Sequence, residues 1–341
     1  MKKLRILALV REGLVPPENM EGYSEKEIAE WKAEFDVVST LRQMGHEVNA
    51  IGVYDDLAPI RKAIREWQPD IAFMLLEEFH GVASYDHAIV SYLELMRQPY
   101  TGCNPRGLLL SKDKALSKKI LSYHRILTPK FVMFPRGRRA KVPKRLAFPL
   151  LVKANLEDAS AGISQASIVT TEEALLERVK FIHDKVDCGA IAEQYIEGRE
   201  LYVGVIGNAR LQTFPAWEML FKNMPDDVAK IATAKVKFDE EYQKRHGIET
   251  GLAQGLDEEQ QMQVTRLCKR VYRALNMSGY ARMDLRMRAD GSVFVLEANG
   301  NPNIAYGEDF AESAESTGTS YEALLQRIIN LGLNYEAPWR R

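Results

Sequence analysis

Cysteine is scarce in this chain. Cys103, Cys188 and Cys268 are the only three in 341 residues, and they are scattered. With no CxxC pair and no zinc-like spacing, a disulfide framework and a structural zinc site are excluded, and an odd, sparse set fits a reducing cytosol. Long apolar runs are missing too. No stretch approaches the roughly 20 residues needed to cross a bilayer. The run from Leu4 to Val10 is brief and meets Arg11-Glu12 without a small-residue cleavage site, so it reads as a buried strand rather than a secretory signal. Neither sign of charge is in excess. Lys and Arg number 46 against 47 Asp and Glu, a formal net charge of −1. That leaves no basic field of the kind a dedicated nucleic-acid binder uses. The local cluster from Arg136 to Arg145 fits a solvated loop. Internal repeats, low-complexity segments, a Gly-Lys-Ser/Thr phosphate loop and Ser-His-Asp or Cys-His signatures are all lacking. The expectation is a soluble, cytoplasmic protein of two or three domains.

What is present organises into three units. Residues 1–105 alternate strand and helix. Strands are expected at Leu4–Val10, Val48–Val53, Ile71–Leu76 and, briefly, Pro99–Thr101. Between them fall a helix opened by a Ser24/Glu27 capping box and stopped near Gly45, one over Leu57–Trp67, and one near Tyr85–Met96. This pattern implies an open parallel sheet with ligands beyond the carboxyl ends of its strands, where the loop Glu77–Gly81 and His80 lie. Residues 106–190 hold a helix opened at Asp113-Lys114, a strand at Phe131–Phe134, and a buried strand, Pro149–Lys153, that ends on a lysine. Residues 191–341 bring strands at Ala190–Ile196 and Glu200–Ile206, and a stretch from Thr213 to Glu249 that reads as a long mobile loop. A helix capped by Asp257, a hairpin, and a last helix near Tyr321–Leu331 complete the chain.

The densest chemistry lies between Tyr280 and Asn303. Alternating runs flank Asp290-Gly291, the strongest short-range signal for a two-residue hairpin turn. That turn sets Asp284 opposite Glu297 and Arg282 opposite Asn299, all on one face, because strand residues two apart point the same way. Met283, Leu285, Phe294, Leu296 and Ala298 then form the buried face. Carboxylates directly across a strand pair, with Cβ atoms about 5 Å apart, repel each other unless a cation lies between them. Oxygen donors without His or Cys suit a hard ion, magnesium first, with manganese as a substitute. The competing reading is a solvated hairpin whose acidic pair is relieved by Arg282 and Arg286. Upstream, Lys153 runs into Asn155–Ile163, a loop of small residues. A strand, a lysine and such a loop can cover a polyphosphate, with backbone N–H groups approaching closely and the lysine neutralising charge. A plain surface hairpin reads the same way.

The tail Leu-Glu-Ala-Asn-Gly-Asn-Pro of the second hairpin strand resembles the metal-binding end of the ATP-grasp enzymes, most of all the D-alanine–D-alanine ligases. The likeness spans the chain in order, through Pro99–Gly102, Asp113-Lys114, Leu151–Lys153 with its loop, Glu193–Glu200 and Arg282–Asn299. It implies a three-domain ATP-grasp architecture: an N-terminal parallel α/β domain, then two α+β subdomains clamping ATP. Lys114 and Lys153 would meet the phosphates or the adenine edge, and Ser160, Ala161 and Gly162 would belong to the phosphate-covering loop, with Ser160 assisting catalysis. Glu193, Gln194, Tyr195 and Ile196 would form the adenine hinge and Glu200 would hold the ribose. Asp284, Glu297 and Asn299 would ligate two magnesium ions, and Arg282 would stabilise the oxyanion. The implied reaction joins a small carboxylate and an amine through an acylphosphate, with no membrane or nucleic-acid partner and a homodimer compatible with the pattern. The chain departs from the family in three places. Ala159 stands where the family's loop has its first serine, and Gly300–Ala305 replaces Ser-Pro-Gly-Met-Thr. No tyrosine beside a lysine is found near Lys235–Phe238. These departures imply substrates other than two D-alanines. A true D-alanine–D-alanine ligase and a non-catalytic nucleotide-binding regulator are the alternatives, and the complete Asp284, Glu297, Asn299 and Arg282 set argues against the latter.

Overall fold

The computed structural model describes residues 2–138, 140–142, 147–157, 163–225 and 228–340 and, at 234 and 238, the backbone alone. Three sheets follow one another along the chain. The first contains β1 (Arg5–Arg11), β2 (Glu47–Val53) and β3 (Ile71–Met74), all parallel, in the order β2-β1-β3. Every residue of β3 and Ile6 to Val10 of β1 are buried, as strands covered on both faces must be. The expected capping box opens the helix Glu25–Gln43, and that helix lays Trp31, Val37, Val38 and Leu41 into the core.

Two expectations are corrected here. Pro99–Thr101 is no strand: it makes one parallel bridge, Ala72 to Tyr100, while Thr101 Oγ1 accepts the Met74 N–H at 3.0 Å. The helix expected over Leu57–Trp67 is α-helical only over Ala58–Lys62. It widens into a π turn at Ala63–Trp67 and stops at Gln68, whose φ of 51° is left-handed.

The second sheet holds β4 (Phe131–Phe134), β5 (Leu150–Ala154), β6 (Ile168–Val169) and β7 (Ala190–Gln194) in the order β4-β7-β5-β6, all antiparallel. Its core is its own: Phe134, Leu150, Val152 and Ala192 pack on Leu175 and Val179 of the helix Glu172–Phe181. The third sheet has β8 (Arg199–Ile206), β9 (Gln212–Thr213), β10 (Trp217–Phe221), β11 (Ile248–Leu252), β12 (Tyr280–Met287) and β13 (Val293–Asn299) in the order β11-β10-β8-β12-β13, with β9 on β8. Its core is continuous with that of the first sheet, running from Leu7, Leu9 and Met74 through Leu108 to Val271 and Met283. The segment Thr213–Glu249 is therefore not a long loop. It carries β10 and the helices Ala234–Phe238 and Glu240–His246, each opened by a side-chain cap from Thr233 or Asp239. Trp217, Met219, Val236 and Ile248 close a small core there.

The hairpin β12–β13 is where expectation and structure differ most usefully. The turn has three residues, Ala289-Asp290-Gly291, closed by Gly291 N–H to the Arg288 carbonyl at 3.0 Å and Arg288 N–H to the Ser292 carbonyl at 2.9 Å. Gly291 sits at φ 80°, the left-handed position that such a loop requires. Near the turn Arg286 therefore faces Phe294 and Leu285 faces Val295, one residue off the two-residue register. A bulge at Leu296 then restores that register. Asp284 faces Glu297, Met283 faces Ala298 and Arg282 faces Asn299. The buried face of β13 is thus Val293, Val295 and Ala298, while Phe294 and Leu296 are only half-buried. This corrects the expected burial of those two residues. A single extra residue flips every side chain beyond it to the other face.

Candidate active site

The site is assembled where β5, β7 and the helix Lys114–Tyr123 meet β8, β12 and β13. Asp113 caps that helix, and spacing of four residues puts Lys114 and Lys118 on one face. Both side chains are buried. Two like charges at that spacing repel each other, so they require anions, and the structure supplies them. Lys114 Nζ lies 3.5 Å from Glu297 Oε2 and donates to the Glu157 carbonyl. Lys118 Nζ lies 3.3 Å from Glu193 Oε1 and donates to the Leu296 carbonyl. Lys153, at the end of β5, lies 3.4 Å from Glu193 Oε2 and 4.0 Å from Glu297 Oε2. Three lysines thus bracket two carboxylates. Burial pushes the Glu297 carboxyl up, but Lys114, Lys153, Lys237 and Lys118 outweigh it and hold the pKa at about 2. Burial pulls Lys118 down to about 8, with Glu193 opposing and Lys153 assisting.

On the facing strand of the hairpin, Arg282 grips Asp284 through two parallel hydrogen bonds, Nε to Oδ1 at 2.8 Å and Nη2 to Oδ2 at 3.0 Å. The guanidinium rests over the Tyr202 ring at 4.8 Å, and its Nη1 lies 3.9 Å from Asp309 Oδ2. Burial raises the Asp284 carboxyl, against the pull of Arg282, with Glu297 adding to the rise. Asn299 Oδ1 accepts the Asn301 N–H at 2.8 Å, which fixes which end of the amide is oxygen. The carboxylates of Asp284 and Glu297 and the amide of Asn299 lie on one strand face with no His or Cys among them, and lysines stand behind Glu297. That donor set fits a hard divalent cation.

Glu200 sits on β8 opposite Arg286 of β12. Its Oε2 is bound by Arg286 and its Oε1 by the Tyr202 hydroxyl at 2.8 Å. Arg286 also donates to the Gly198 and Lys230 carbonyls, at 3.4 Å and 3.1 Å. The hinge Glu193–Ile196 starts on the last two residues of β7, where Gln194 and Tyr195 N–H donate to the Lys130 and Pro149 carbonyls. Two buried polar atoms in this quarter lack a hydrogen-bond partner, Glu193 Oε1 and Arg286 Nε. The loop beyond Asn299 is tied to the helix Glu25–Gln43. Tyr306 N–H donates to Asp36 Oδ2 at 3.0 Å, and Lys32 reaches both Asp36 and the Tyr306 carbonyl.

The structure therefore brings together Lys114, Lys153, Glu193, Glu200, Arg282, Asp284, Glu297 and Asn299, as well as the backbone leading to Gln194, Tyr195 and Ile196. Ser160, Ala161 and Gly162 lie outside the described residues. Sequence reasoning missed Lys118, although its four-residue spacing from Lys114 marked it. It also missed Arg286 as the partner of Glu200, and Lys237, whose charge bears on both Asp284 and Glu297.

A central antiparallel sheet closing on a larger one over lysines, with a carboxylate-bearing hairpin between them, is the ATP-grasp arrangement. Residues 115–330 match the family model described as D-ala D-ala ligase C-terminus. The chain is similar to the D-alanine–D-alanine ligase of Desulforudis audaxviator, 31% identical over 303 residues, which covers 86% of this chain and 90% of that one. It is 30% identical over 311 residues to the D-alanine–D-alanine ligase of Geotalea uraniireducens, covering 91% and 93%. Among solved structures, the Bacillus anthracis D-alanine–D-alanine ligase complexed with ATP superposes with a TM-score of 0.74 at 23% identity, covering 97% of both chains. This chain belongs to the D-alanine–D-alanine ligase family of ATP-grasp enzymes, which are ATP-dependent carbon–nitrogen ligases. Among the described residues no helix is long and apolar enough to cross a membrane.

Proposed function

We propose that this chain joins a carboxylate and an amine, with ATP consumed through an acylphosphate, and that its substrates are not two D-alanines. The observation that carries the reaction is the opposed pair Asp284 and Glu297 with Asn299 and Arg282 on the same face. Asp284, Glu297 and Asn299 would hold magnesium, which would supply charge screening; an anionic carboxylate would then attack the γ-phosphate and ADP would leave. Lys114 and Lys153 would exchange Glu297 and Glu193 for phosphate oxygens, and Glu193, whose Oε1 faces Lys118 Nζ at 3.3 Å, would keep a lone pair to accept from the exocyclic amine of adenine. Glu200, held by Arg286 and Tyr202, keeps lone pairs for ribose hydroxyls. Arg282, already cationic and half-buried beside Asp284, is poised to donate to the oxyanion formed when the amine adds to the acyl carbon. Phosphate then leaves and the amide bond remains. The expected division into units 1–105, 106–190 and 191–341 differs from the sheets at its second boundary, because β7 (Ala190–Gln194) pairs within the second sheet and the third sheet begins at Arg199. The reaction needs no membrane and suits the cytoplasm.

The substrate reading rests on the loop after Asn299. Glu308 and Asp309 stand there, Asp309 within 3.9 Å of Arg282. Glu308 is solvent-exposed at the N-cap of the helix Asp309–Glu315; partial desolvation and the neighbouring Asp309 raise its carboxyl, while Lys32 and Arg282 oppose the rise. Carboxylates at this point disfavour an acceptor that carries its own carboxylate there. An amine that is neutral or cationic at its far end, or larger than alanine, fits better. The names of the relatives favour a second reading, a true D-alanine–D-alanine ligase. ADP release screened against a panel of amino acids and small carboxylates, with products weighed by mass spectrometry, decides between them. D-alanine alone should give little dipeptide, and Glu308→Ser should improve the use of small amino acids. Efficient D-alanyl-D-alanine synthesis by the unmutated protein would overturn the substrate reading and leave the ligase reading standing.

A further inference from the structure

Lys118 sits at the join between the two halves of the site, and its side chain is 1% exposed. Its ammonium has two kinds of partner. One is the carboxylate of Glu193 on β7, and the other is the carbonyl of Leu296 on β13. Leu296 is the bulge residue: the pairing passes from Glu297 opposite Asp284 to Val295 opposite Leu285 and leaves Leu296 without a cross-strand partner. Beside it, the Val295 N–H turns away from β12 and donates to the Leu127 carbonyl at 2.9 Å. A bulge leaves ladder groups unpaired, and a backbone carbonyl drawn partly out of water, as that of Leu296 is, needs a donor from elsewhere. The helix Lys114–Tyr123 supplies that donor to Leu296. Without the bulge, the register near the turn would set Glu297 opposite Met283, on the side of β13 that buries Val293 and Val295.

We propose that Lys118 is a positioning residue for the metal site. By satisfying the Leu296 carbonyl it holds the bulge that turns Glu297 and Asn299 onto the face of Asp284, and through Glu193 it ties this register to the adenine hinge. The proposal rests on the reading of Asp284, Glu297 and Asn299 as magnesium ligands. The contacts of Lys118 are to Glu193 and the Leu296 carbonyl, not to Asp284, Glu297 or Asn299, so its proposed effect is on how well the ligands are aimed.

The test uses the full-length protein and the non-hydrolysable analogue AMPPNP, whose binding is measured calorimetrically with magnesium and with EDTA. The ratio of the two affinities is the gain due to metal. Lys118→Met removes both contacts at nearly constant volume, and Lys118→Gln keeps one neutral donor on a side chain one bond too short to span them. In either variant the gain due to metal should fall about tenfold or more, as loss of an outer-shell partner does elsewhere. Adenosine binding should change much less, and Lys118→Arg should restore part of the gain. A purely structural role would lower the melting temperature and leave the gain unchanged. A folded methionine or glutamine variant with the wild-type gain would therefore overturn the proposal. Glu297→Gln serves as the control. If it abolishes the gain while the Lys118 variants keep it, this proposal alone falls. If Glu297→Gln also keeps the gain, the metal reading falls, and the proposal with it.

Discussion

Replacing Glu297 by glutamine should have opposite effects on metal-free and metal-bound nucleotide. In the nucleotide-free protein Glu297 is the anion that Lys114 and Lys153 hold, at 3.5 Å and 4.0 Å. Its pKa falls from 4.5 to about 2, and at 1.36 kcal/mol per unit this corresponds to about 3 kcal/mol of preference for the charged carboxylate in the fold. Because the folded pKa is the lower one, that stability is present above about pH 4.5 and is lost as the pH falls toward 2. Glu297→Gln should thus melt below the wild type at neutral pH and converge with it in strong acid. The same lysines are the proposed phosphate partners, so ATP must displace Glu297 from them. In Glu297→Gln there is no anion to displace, and metal-free ATP should bind more tightly, by roughly tenfold and at most about a hundredfold if the whole 3 kcal/mol is released. With magnesium the order reverses, since a metal ligand is gone, and product formation should cease. Calorimetry of ATP binding in EDTA and in magnesium, for both proteins, reads both effects. Unchanged or weaker metal-free binding by the mutant would refute the charge exchange, and near-normal turnover would refute the metal role.

Three further outcomes follow from the same geometry. Lys153→Ala should weaken ATP binding far more than adenosine binding, because the lost ammonium faces phosphate rather than base, and an equal loss for both ligands would count against it. Arg286→Met strips Glu200 of its guanidinium partner. A hydrogen bond to a charged group is worth roughly 1.5–3 kcal/mol, so KM for ATP should rise about tenfold and the preference for ATP over 2′-deoxy-ATP should shrink; an intact preference would show that Glu200 does not read the ribose. Glu34 is buried, and that burial raises its carboxyl from 4.5 to about 7. The raised folded value means stability is fully present below pH 4.5 and lost as the pH rises through 7, so Glu34→Gln should melt above the wild type at pH 8, by up to about 3 kcal/mol, and match it at pH 4. Equal melting at both pH values would show that the carboxyl carries no such penalty.

Much of the fold was legible because its signals are local. The Ser24 capping box, the Asp257 cap and the fully apolar strand at Ile71 each fix an element from a few residues. The facing of Asp284 with Glu297 was also read correctly, but from a two-residue turn that does not exist. The three-residue turn and the bulge at Leu296 cancel at the metal end and fail to cancel near the tip, which is why Phe294 and Leu296 were placed on the wrong face. No single-strand pattern reveals a bulge, because the bulge is defined by the partner. The stretch Thr213–Glu249 was opaque for a related reason. Its helices are short and depend on the small core around Trp217 and Val236, which exists only once β10 and β11 have paired. Lys118 had a local signal, the spacing from Lys114, but its meaning lies in Glu193 and Leu296, 75 and 178 residues away along the chain.

The two irregularities of the hairpin also divide it into a slack end and a taut one. Strand β12 takes its alignment from unbroken pairing with β8 along its whole length, Tyr280 to Met287, and β13 takes its own from the bulge, so the metal end owes little to the tip. Residues added or removed among Ala289, Asp290 and Gly291 should pass unnoticed by the chemistry, and a reporter peptide spliced there would hang outside a working enzyme. One residue gained or lost between Val295 and Glu297 would instead turn the ligands inward. Along a lineage of such chains, length changes should gather at the tip and be purged four to six residues further on.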